Sequence, residues 1–111
     1  KTNLNRVYYY SLFPNMLISL HPDYVMYHTI IPVSPSECKV TCSWLFFKEN
    51  DDKHNYSDAI EFWDKTNKQD WEVSELSQLG IKSKKYTPGP YSSRESLLST
   101  FDNYYLSKLH K

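Results

Sequence analysis

The sequence lacks the features that would indicate several classes of protein. Thirteen basic and thirteen acidic residues cancel to no net charge, so charge gives no reason to expect binding to nucleic acid or to an anionic membrane. It has no apolar run of the roughly 18 residues that a membrane span needs, and its start does not have the pattern of a signal peptide. We therefore expect a cytoplasmic protein that binds neither nucleic acid nor membrane.

Cysteine is also scarce. Cys38 and Cys42 are the only two, and on an extended strand they would share a face but lie roughly 13 Å apart. That separation is too large for a disulfide without a bend. A zinc or iron–sulfur site would need further cysteines or histidines at compatible spacing, which the sequence does not have. We interpret both cysteines as small buried residues in a reducing compartment.

The first half of the sequence has the pattern of an antiparallel sheet. Runs rich in aromatic and β-branched residues occupy 7–13, 16–20, 24–32 and 38–47, and short segments with proline, asparagine or aspartate separate them. Short connections favour antiparallel neighbours, because parallel strands need longer crossovers. The chain is the size of one domain, but it starts at Lys1 and enters the first strand almost at once, so we expect a piece of a longer protein.

Two helices are predicted in the second half. The first runs from 57 to 80, with Gly80 suited to a left-handed cap, after a charged run at 48–55 that is typical of an exposed loop. The second runs from 92 or 93 to 110, with Ser92 and Glu95 forming a capping box. Its apolar residues recur every three to four positions, so we expect it to pack on the sheet. The predicted fold class is α+β.

One acidic residue of the first helix is predicted to face inward. At 100° per residue, Asp70 lies opposite the charged face and shares its side with neutral residues. The charged face consists of Glu61, Asp64, Lys65, Lys68, Glu72 and Glu75, and the inward side of Ala59, Trp63, Thr66, Val73, Ser74 and Ser77. A buried, unpaired carboxylate costs several kcal/mol, so we expect Asp70 to have an arginine, hydrogen-bond donors, a raised pKa or a metal.

The four histidines do not complete a metal site with Asp70. His21 and His28 are seven residues apart, which puts them on opposite faces of a straight strand. His54 lies in the charged run and His110 next to the last residue, and both positions are typical of surface residues. The residue pattern alone leaves open whether Asp70 has a local structural role or binds a metal.

Three segments, in order, resemble the C-terminal part of the catalytic domain of Rieske non-haem iron oxygenases of the aromatic ring-hydroxylating type. They are FPNMLISLHPDYVMYHTIIPVSP, DAIEFWDKTNKQDWEVSE and YTPGPYSSRESLLSTFDNYYLSKL. In that family the aspartate of an (E/Q)D-x-x-x-x-E helix is the carboxylate ligand of a 2-His-1-carboxylate iron site, and the matching residues here are Gln69, Asp70 and Glu75. The family's H-x(4)-H-type motif and its cluster ligands do not occur in this sequence. The resemblance thus implies that residues 1–111 are a C-terminal portion, without the N-terminal Rieske domain and the His-ligand segment.

The resemblance also implies a function. The whole protein would be an oxygenase that uses Fe(II) at Asp70, a [2Fe-2S] Rieske cluster in the missing N-terminal domain, and electrons from NAD(P)H through a reductase or ferredoxin. It would hydroxylate or dealkylate a small organic substrate with dioxygen, either an aromatic acid (aromatic compound catabolism) or a quaternary amine, and would assemble as a homotrimer. The implied fold is a partial helix-grip, START-like catalytic domain. With one iron ligand of three, isolated residues 1–111 would be inactive.

Four further residues are predicted to contact substrate. Asn15 and Leu17 match a region that approaches the substrate cavity in the family, Trp63 shares the side of Asp70, and Asn67 is a candidate for hydrogen bonds near the iron. Core packing accounts for Trp63 as well, and a half-buried sheet face accounts for the tyrosines at 8–10. Helix-grip folds also serve as hydrophobic carriers, so the alternative is a non-enzymatic module that binds a hydrophobic ligand.

Overall fold

The computed structural model describes residues 5–48 and 56–109 and divides the chain into two compact units, Lys1–Ile81 and Lys82–Lys111. The first unit contains strands β1 (Tyr8–Leu12), β2 (Met16–Leu20), β3 (Tyr24–Ser34) and β4 (Glu37–Phe46), followed by helix α1 (Ser57–Ile81). The second unit contains helix α2 (Ser96–Leu109). The predicted α+β class is confirmed.

The sheet is a simple meander with strand order β1-β2-β3-β4, and every neighbouring pair is antiparallel. The predicted strand bounds are right to within two residues, because turn residues mark each boundary in the sequence. β3 and β4 are the longest strands and pair along most of their length, with one irregularity between Pro32 and Ser34. β3 lies between β2 and β4 and is therefore the strand on which a covering helix can best be anchored.

The face of the sheet that α1 covers holds the small core of the first unit. Tyr24 and Met26 of β3 are buried, and Met26 is only 1% exposed. Ser19 of β2 pairs with Met26 and is buried beside it. The opposite face is apolar too, with Val25 and Leu45 directly across from each other on β3 and β4. Apolar residues on both faces are typical of a sheet that is covered on both sides.

The helix ends differ from the sequence prediction. α1 continues through Gly80 to Ile81, and Gly80 does not have a positive φ, so the predicted left-handed cap there is wrong. α2 starts at Ser96, later than predicted, because a separate turn precedes it. In that turn the Ser92 N–H donates to Glu95 Oε2 at 2.6 Å, which is one half of the predicted capping box. The packing of α2 on the sheet stays a prediction.

Some predicted features fall outside the described residues. These are the charged run apart from Lys48, including His54, and also His110. Cys38 and Cys42 are both described, and both are free thiols as predicted, although Cys38 is exposed and only Cys42 is half-buried. Neither described helix has the length and apolar character that a membrane crossing requires.

Met26→Ala tests how much of the stability of the sheet unit rests on its small core. We expect the free energy of unfolding to fall by about 2–4 kcal/mol, because the substitution removes a buried side chain and leaves a cavity. Urea denaturation followed by tryptophan fluorescence measures the change. Leu97→Ala, at a side chain that is 82% exposed, is the control and should change stability by less than about 0.5 kcal/mol. Equal effects of the two substitutions would show that Met26 is not the centre of the core.

Candidate functional site

Two side-chain hydrogen bonds tie α1 to β3. Trp63 Nε1 donates to the Tyr24 hydroxyl at 2.7 Å, and His28 Nε2 lies 3.1 Å from Asn67 Oδ1. Because an amide oxygen can only accept, His28 Nε2 carries the hydrogen of the second bond. His28 follows Tyr24 by four residues on β3, and Asn67 follows Trp63 by four residues on α1. The helix α1 therefore runs in the same direction as β3, and the two hydrogen bonds lie at successive turns of the helix.

Asn67 is the residue of α1 that lies deepest against the sheet. It is 5% exposed and is the one buried residue among the described residues of this helix. Its Nδ2 is also buried and makes no hydrogen bond to any described residue. The amide lies close to Cys42, which pairs with His28 across the sheet. Burial raises the pKa of the Cys42 thiol, and the nearby Asn67 amide opposes part of that effect.

Trp63 belongs to an aromatic cluster. His21 stacks on Tyr24 with ring centroids 4.2 Å apart, and it meets Trp63 edge-on at 5.7 Å. Phe46 completes the cluster by packing against Tyr24 at 5.9 Å. Burial lowers the pKa of His21, and the nearby Asp23 carboxylate acts in the opposite direction with a smaller effect. The cluster gives Trp63 a packing role, and its predicted contact with substrate stays a prediction.

Asp70 does not face the interior, contrary to the prediction from the helical pattern. Its side chain is exposed, and so are Val73, Ser74 and Ser77 from the predicted inward side, whereas Ala59, Trp63 and Thr66 are half-buried. The sheet-facing line of α1 passes through Asn67, and a residue three positions later is rotated by 60° from that line. The side chain of Asp70 therefore lies on the flank of the helix and is exposed rather than packed against the sheet. Because the carboxylate of Asp70 is exposed, it does not need a metal to offset the cost of burying its charge.

The charged face of α1 is exposed as predicted. Within it, Lys68 Nζ lies 2.6 Å from Asp64 Oδ2, an ion pair between residues four apart on the helix. Asp70, in contrast, has no side-chain hydrogen bond or ion pair with any residue in 5–48 or 56–109. Its carboxylate is therefore free, within the described structure, to bind a cation or a donor from another segment.

Asp70 lies on one flank of α1, rotated by 60° from the sheet-facing line through Asn67. The opposite flank is identified by Glu75, which lines a cleft together with Glu37 and Cys38 of β4. Asp70 and Glu75 lie on opposite sides of the Asn67 line at 100° per residue, so Asp70 lies away from β4. On β2, Leu17 pairs with His28 and thus shares the helix-covered face.

Asn15 lies in the same part of the sheet. Its carbonyl accepts a hydrogen bond from Ile30 N at 2.9 Å, which is two residues beyond His28 along β3. Since α1 runs in the direction of β3, Asp70 also lies beyond the His28–Asn67 contact. The structure places Asn15 and Leu17 at the start of β2 and exposes Asp70 on α1. The contact of these three residues with iron or substrate stays a prediction.

A cleft of about 680 Å³ opens between the end of the β3–β4 hairpin and the C-terminal half of α1. Pro32, Pro35 and Cys38 line it from the hairpin, and Ser74 and Gln78 from the helix. None of the predicted site residues lines this cleft. It is consequently not the site that the sequence predicted.

The described residues fit a partial metal site but not a complete one. No group of three His, Cys, Asp or Glu side chains in 5–48 and 56–109 could hold a metal ion. His28 Nε2 is engaged by Asn67, and His21 stacks on Tyr24, and neither ring belongs with Asp70 to such a group among these residues. An exposed, unpaired carboxylate can still serve as one ligand of a site whose other ligands come from elsewhere.

His28 is the residue that sequence reasoning missed. The predicted placement of His21 and His28 on opposite faces of one strand is wrong: His21 precedes β3 and contacts Trp63 of α1, and His28 contacts Asn67 of the same helix. The signal that could have identified its role is the equal four-residue spacing of Tyr24 and His28 on the strand and of Trp63 and Asn67 on the helix. That signal has meaning only once the two elements are known to pack together.

The full chain, residues 1–111, matches the family described as "Ring hydroxylating alpha subunit (catalytic domain)". Similar curated proteins include the glycine betaine monooxygenase oxygenase subunits of Pseudomonas aeruginosa strains UCBPP-PA14 and PAO1. Each is 42% identical over 72 residues, which is 63% of this chain and 17% of the relative. The subunit of the same name from Chromohalobacter salexigens is 32% identical over 81 residues, 71% of this chain and 18% of the relative. The matched part of this chain thus spans 17–18% of the length of these relatives.

A double-mutant cycle on Trp63 and Tyr24 tests the packing role of Trp63. Tyr24→Phe removes only the hydroxyl and leaves the indole N–H without its acceptor, so we expect a loss of about 1–3 kcal/mol in the free energy of unfolding. Trp63→Phe removes the donor, and the double variant should recover part of the combined loss. Urea denaturation, followed by circular dichroism because a tryptophan is changed, measures all four proteins. Additive losses would mean that the hydrogen bond contributes nothing to stability.

His21 predicts a pH dependence of stability. Its pKa is lowered in the folded chain, so the unfolded chain binds the proton more readily as pH falls below the ordinary value of 6.5. Stability should be fully present above that value and should be lost as pH falls through the lower pKa of the folded state. His21→Phe keeps the aromatic stacking and removes the titration, so its unfolding free energy should fall less than that of the wild type between pH 8 and pH 5.5. A wild-type protein that gains stability over this range relative to His21→Phe would contradict the assignment.

Proposed function

This chain belongs to the ring-hydroxylating alpha subunit family, in its catalytic domain, and we propose from that membership that it is part of a Rieske-type mononuclear non-haem iron oxygenase. Residues 1–111 would form the C-terminal portion of the catalytic domain. The Rieske domain and the two histidine ligands of the mononuclear iron would come from a preceding part of a longer polypeptide. The lengths of the curated relatives support this reading, since each is several times longer than the matched segment.

Asp70 would be the carboxylate ligand of the mononuclear iron. Two features support the role: Asp70 occupies the aspartate of the QD-x-x-x-x-E pattern, and its carboxylate is exposed and unpaired within the described residues. Fe(II) held by two imidazoles and one carboxylate keeps coordination positions open for dioxygen beside a substrate. The contribution of this chain would be to hold that carboxylate on a rigid helix.

The electrons for the reaction would come from outside this segment. Family membership supports a [2Fe-2S] Rieske cluster in the N-terminal domain, reduced by NAD(P)H through a reductase or a ferredoxin. A homotrimer, in which the cluster of one subunit serves the iron of its neighbour, is the assembly that we propose for the complete protein.

The substrate that we favour is a quaternary amine of the glycine betaine type rather than an aromatic acid. The observation that favours it is that the relatives from two bacterial species are both named glycine betaine monooxygenase. Hydroxylation of one N-methyl C–H bond would consume dioxygen, two electrons and two protons and release one water. The hydroxyl of the resulting N-hydroxymethyl ammonium would lose its proton, and the C–N bond would break with its electron pair going to nitrogen, to give formaldehyde, the tertiary amine and one proton. Such a cation is bound well by aromatic faces, and Trp63 is the aromatic residue that we propose for its binding wall.

Asp70→Asn in the complete oxygenase subunit tests the proposal. We expect mononuclear iron to be lost and turnover of glycine betaine to fall by more than about 100-fold, because loss of a mere outer-shell partner of a metal already costs 10–100-fold. The visible absorption of the Rieske cluster should persist, since its ligands lie in another domain. Iron analysis, the Rieske spectrum and formaldehyde release measure the three effects.

Glu72→Gln is the matched control for this experiment. Glu72 is an exposed carboxylate two residues away on the same helix, so its loss should leave iron content and turnover unchanged. If Asp70→Asn kept its iron and its activity, the assignment of Asp70 would be wrong. A complete protein without iron that bound a hydrophobic ligand would instead support the carrier function.

A further inference from the structure

Among the described residues, the hydrogen bond between His28 and Asn67 is the side-chain hydrogen bond between α1 and the sheet that lies closest to Asp70 along the helix. Asn67 precedes Asp70 by three residues, which corresponds to about 4.5 Å along the helix axis. The other contact, between Trp63 and Tyr24, is seven residues from Asp70, or about 10.5 Å. Any slip or rotation of α1 at Asn67 is therefore transmitted almost directly to the Asp70 carboxylate.

Burial of this hydrogen bond restricts the position of the helix. Asn67 is 95% removed from solvent, and its Oδ1 has one described partner, the Nε2 atom of His28. A buried amide oxygen that loses its donor carries the full cost of desolvation, so the helix is held in the one register that keeps the bond. Apolar contacts do not have this property, because they tolerate sliding and small rotations.

We propose that His28 and Asn67 are positioning residues for the mononuclear iron: their buried hydrogen bond fixes the register of α1 on β3 and thereby the location of the Asp70 carboxylate. This inference rests on the proposed role of Asp70 as an iron ligand. In this role the two residues act through α1 and need no contact of their own with the metal. Their effect is on the precision with which the third ligand meets the two histidines, and such sites tolerate displacements of only about 0.5 Å.

A set of variants at His28 in the complete oxygenase subunit separates positioning from general stability. His28→Leu removes the hydrogen-bond donor to Asn67. His28→Gln places an amide nitrogen near the position of Nε2 and so retains a donor to Asn67. Tyr24→Phe breaks the other helix–sheet bond and orphans a buried donor of similar cost, but at a distance of two turns from Asp70. The double variant His28→Leu with Asn67→Leu removes both polar partners together, so no buried group is orphaned and the protein should fold.

Two measurements are made on each variant: the dissociation constant for added Fe(II) at the mononuclear site, and the electron paramagnetic resonance spectrum of the nitric oxide adduct of that iron. We expect His28→Leu and the double variant to raise the dissociation constant about tenfold, at the lower end of what an outer-shell partner contributes, and to broaden the spectrum. His28→Gln should restore both quantities to wild-type values. Tyr24→Phe should lose thermal stability and leave both quantities unchanged.

The results that would overturn the inference are distinct from those that would overturn the proposed function. Wild-type Fe(II) binding in the double variant, or an equal loss of Fe(II) binding in Tyr24→Phe, would show that the His28–Asn67 bond does not position the ligand. Asp70→Asn, measured in parallel, reports on the function itself. If Asp70→Asn lost iron while the double variant did not, the function would stand and the positioning role would fall.

Discussion

The hydrogen bonds that His28 and Tyr24 of β3 form with Asn67 and Trp63 fix the position of α1 on the sheet. Apolar burial alone could not do so, because Val73, Leu76 and Leu79 in the second half of the helix are each more than 60% exposed. The residue of α1 that is most deeply buried is an asparagine. Each bond stabilises the fold by only about 1 kcal/mol net, but leaving a buried donor or acceptor unpaired costs 1–3 kcal/mol. Polar contacts of this kind specify one arrangement more strongly than they stabilise it.

The sheet could be predicted from sequence because its signals are local. Proline, asparagine and aspartate end each strand at the position where the chain turns, and the aromatic and β-branched residues between them favour extended backbone. The start of α1 was predicted correctly at Ser57, and its end only one residue early. The misplaced start of α2 has a local cause as well, since Ser92 and Glu95 form their capping contact in a turn that ends before the helix begins.

The orientation of α1 could not be predicted in the same way. The half-buried Trp63 and Trp71 flank Asn67 on its sheet-facing side, but Val73 and Leu76 are exposed, so hydrophobic periodicity marks the buried side only in the first half of the helix. The partner of Asn67 lies 39 residues earlier, on a strand whose register depends on two hairpins. Pairing of that kind follows from tertiary packing, which no window of the sequence contains. The candidate ligand itself could be named only because its surrounding pattern resembles that of a known family.

An exposed Asp70 is consistent with the proposed site for a physical reason that the burial argument overlooked. A carboxylate that is to meet a metal held partly by another segment must remain accessible from outside its own helix–sheet layer. If the acid stood instead at the position of Asn67, it would face His28, and the resulting buried ion pair would compete with the metal for both side chains. A neutral amide at the buried position avoids that competition and still accepts the histidine N–H. Asp70 follows Asn67 by three residues and is rotated by 60° around the helix. Its position is therefore fixed by the Asn67 contact, while its carboxylate forms no ion pair with His28.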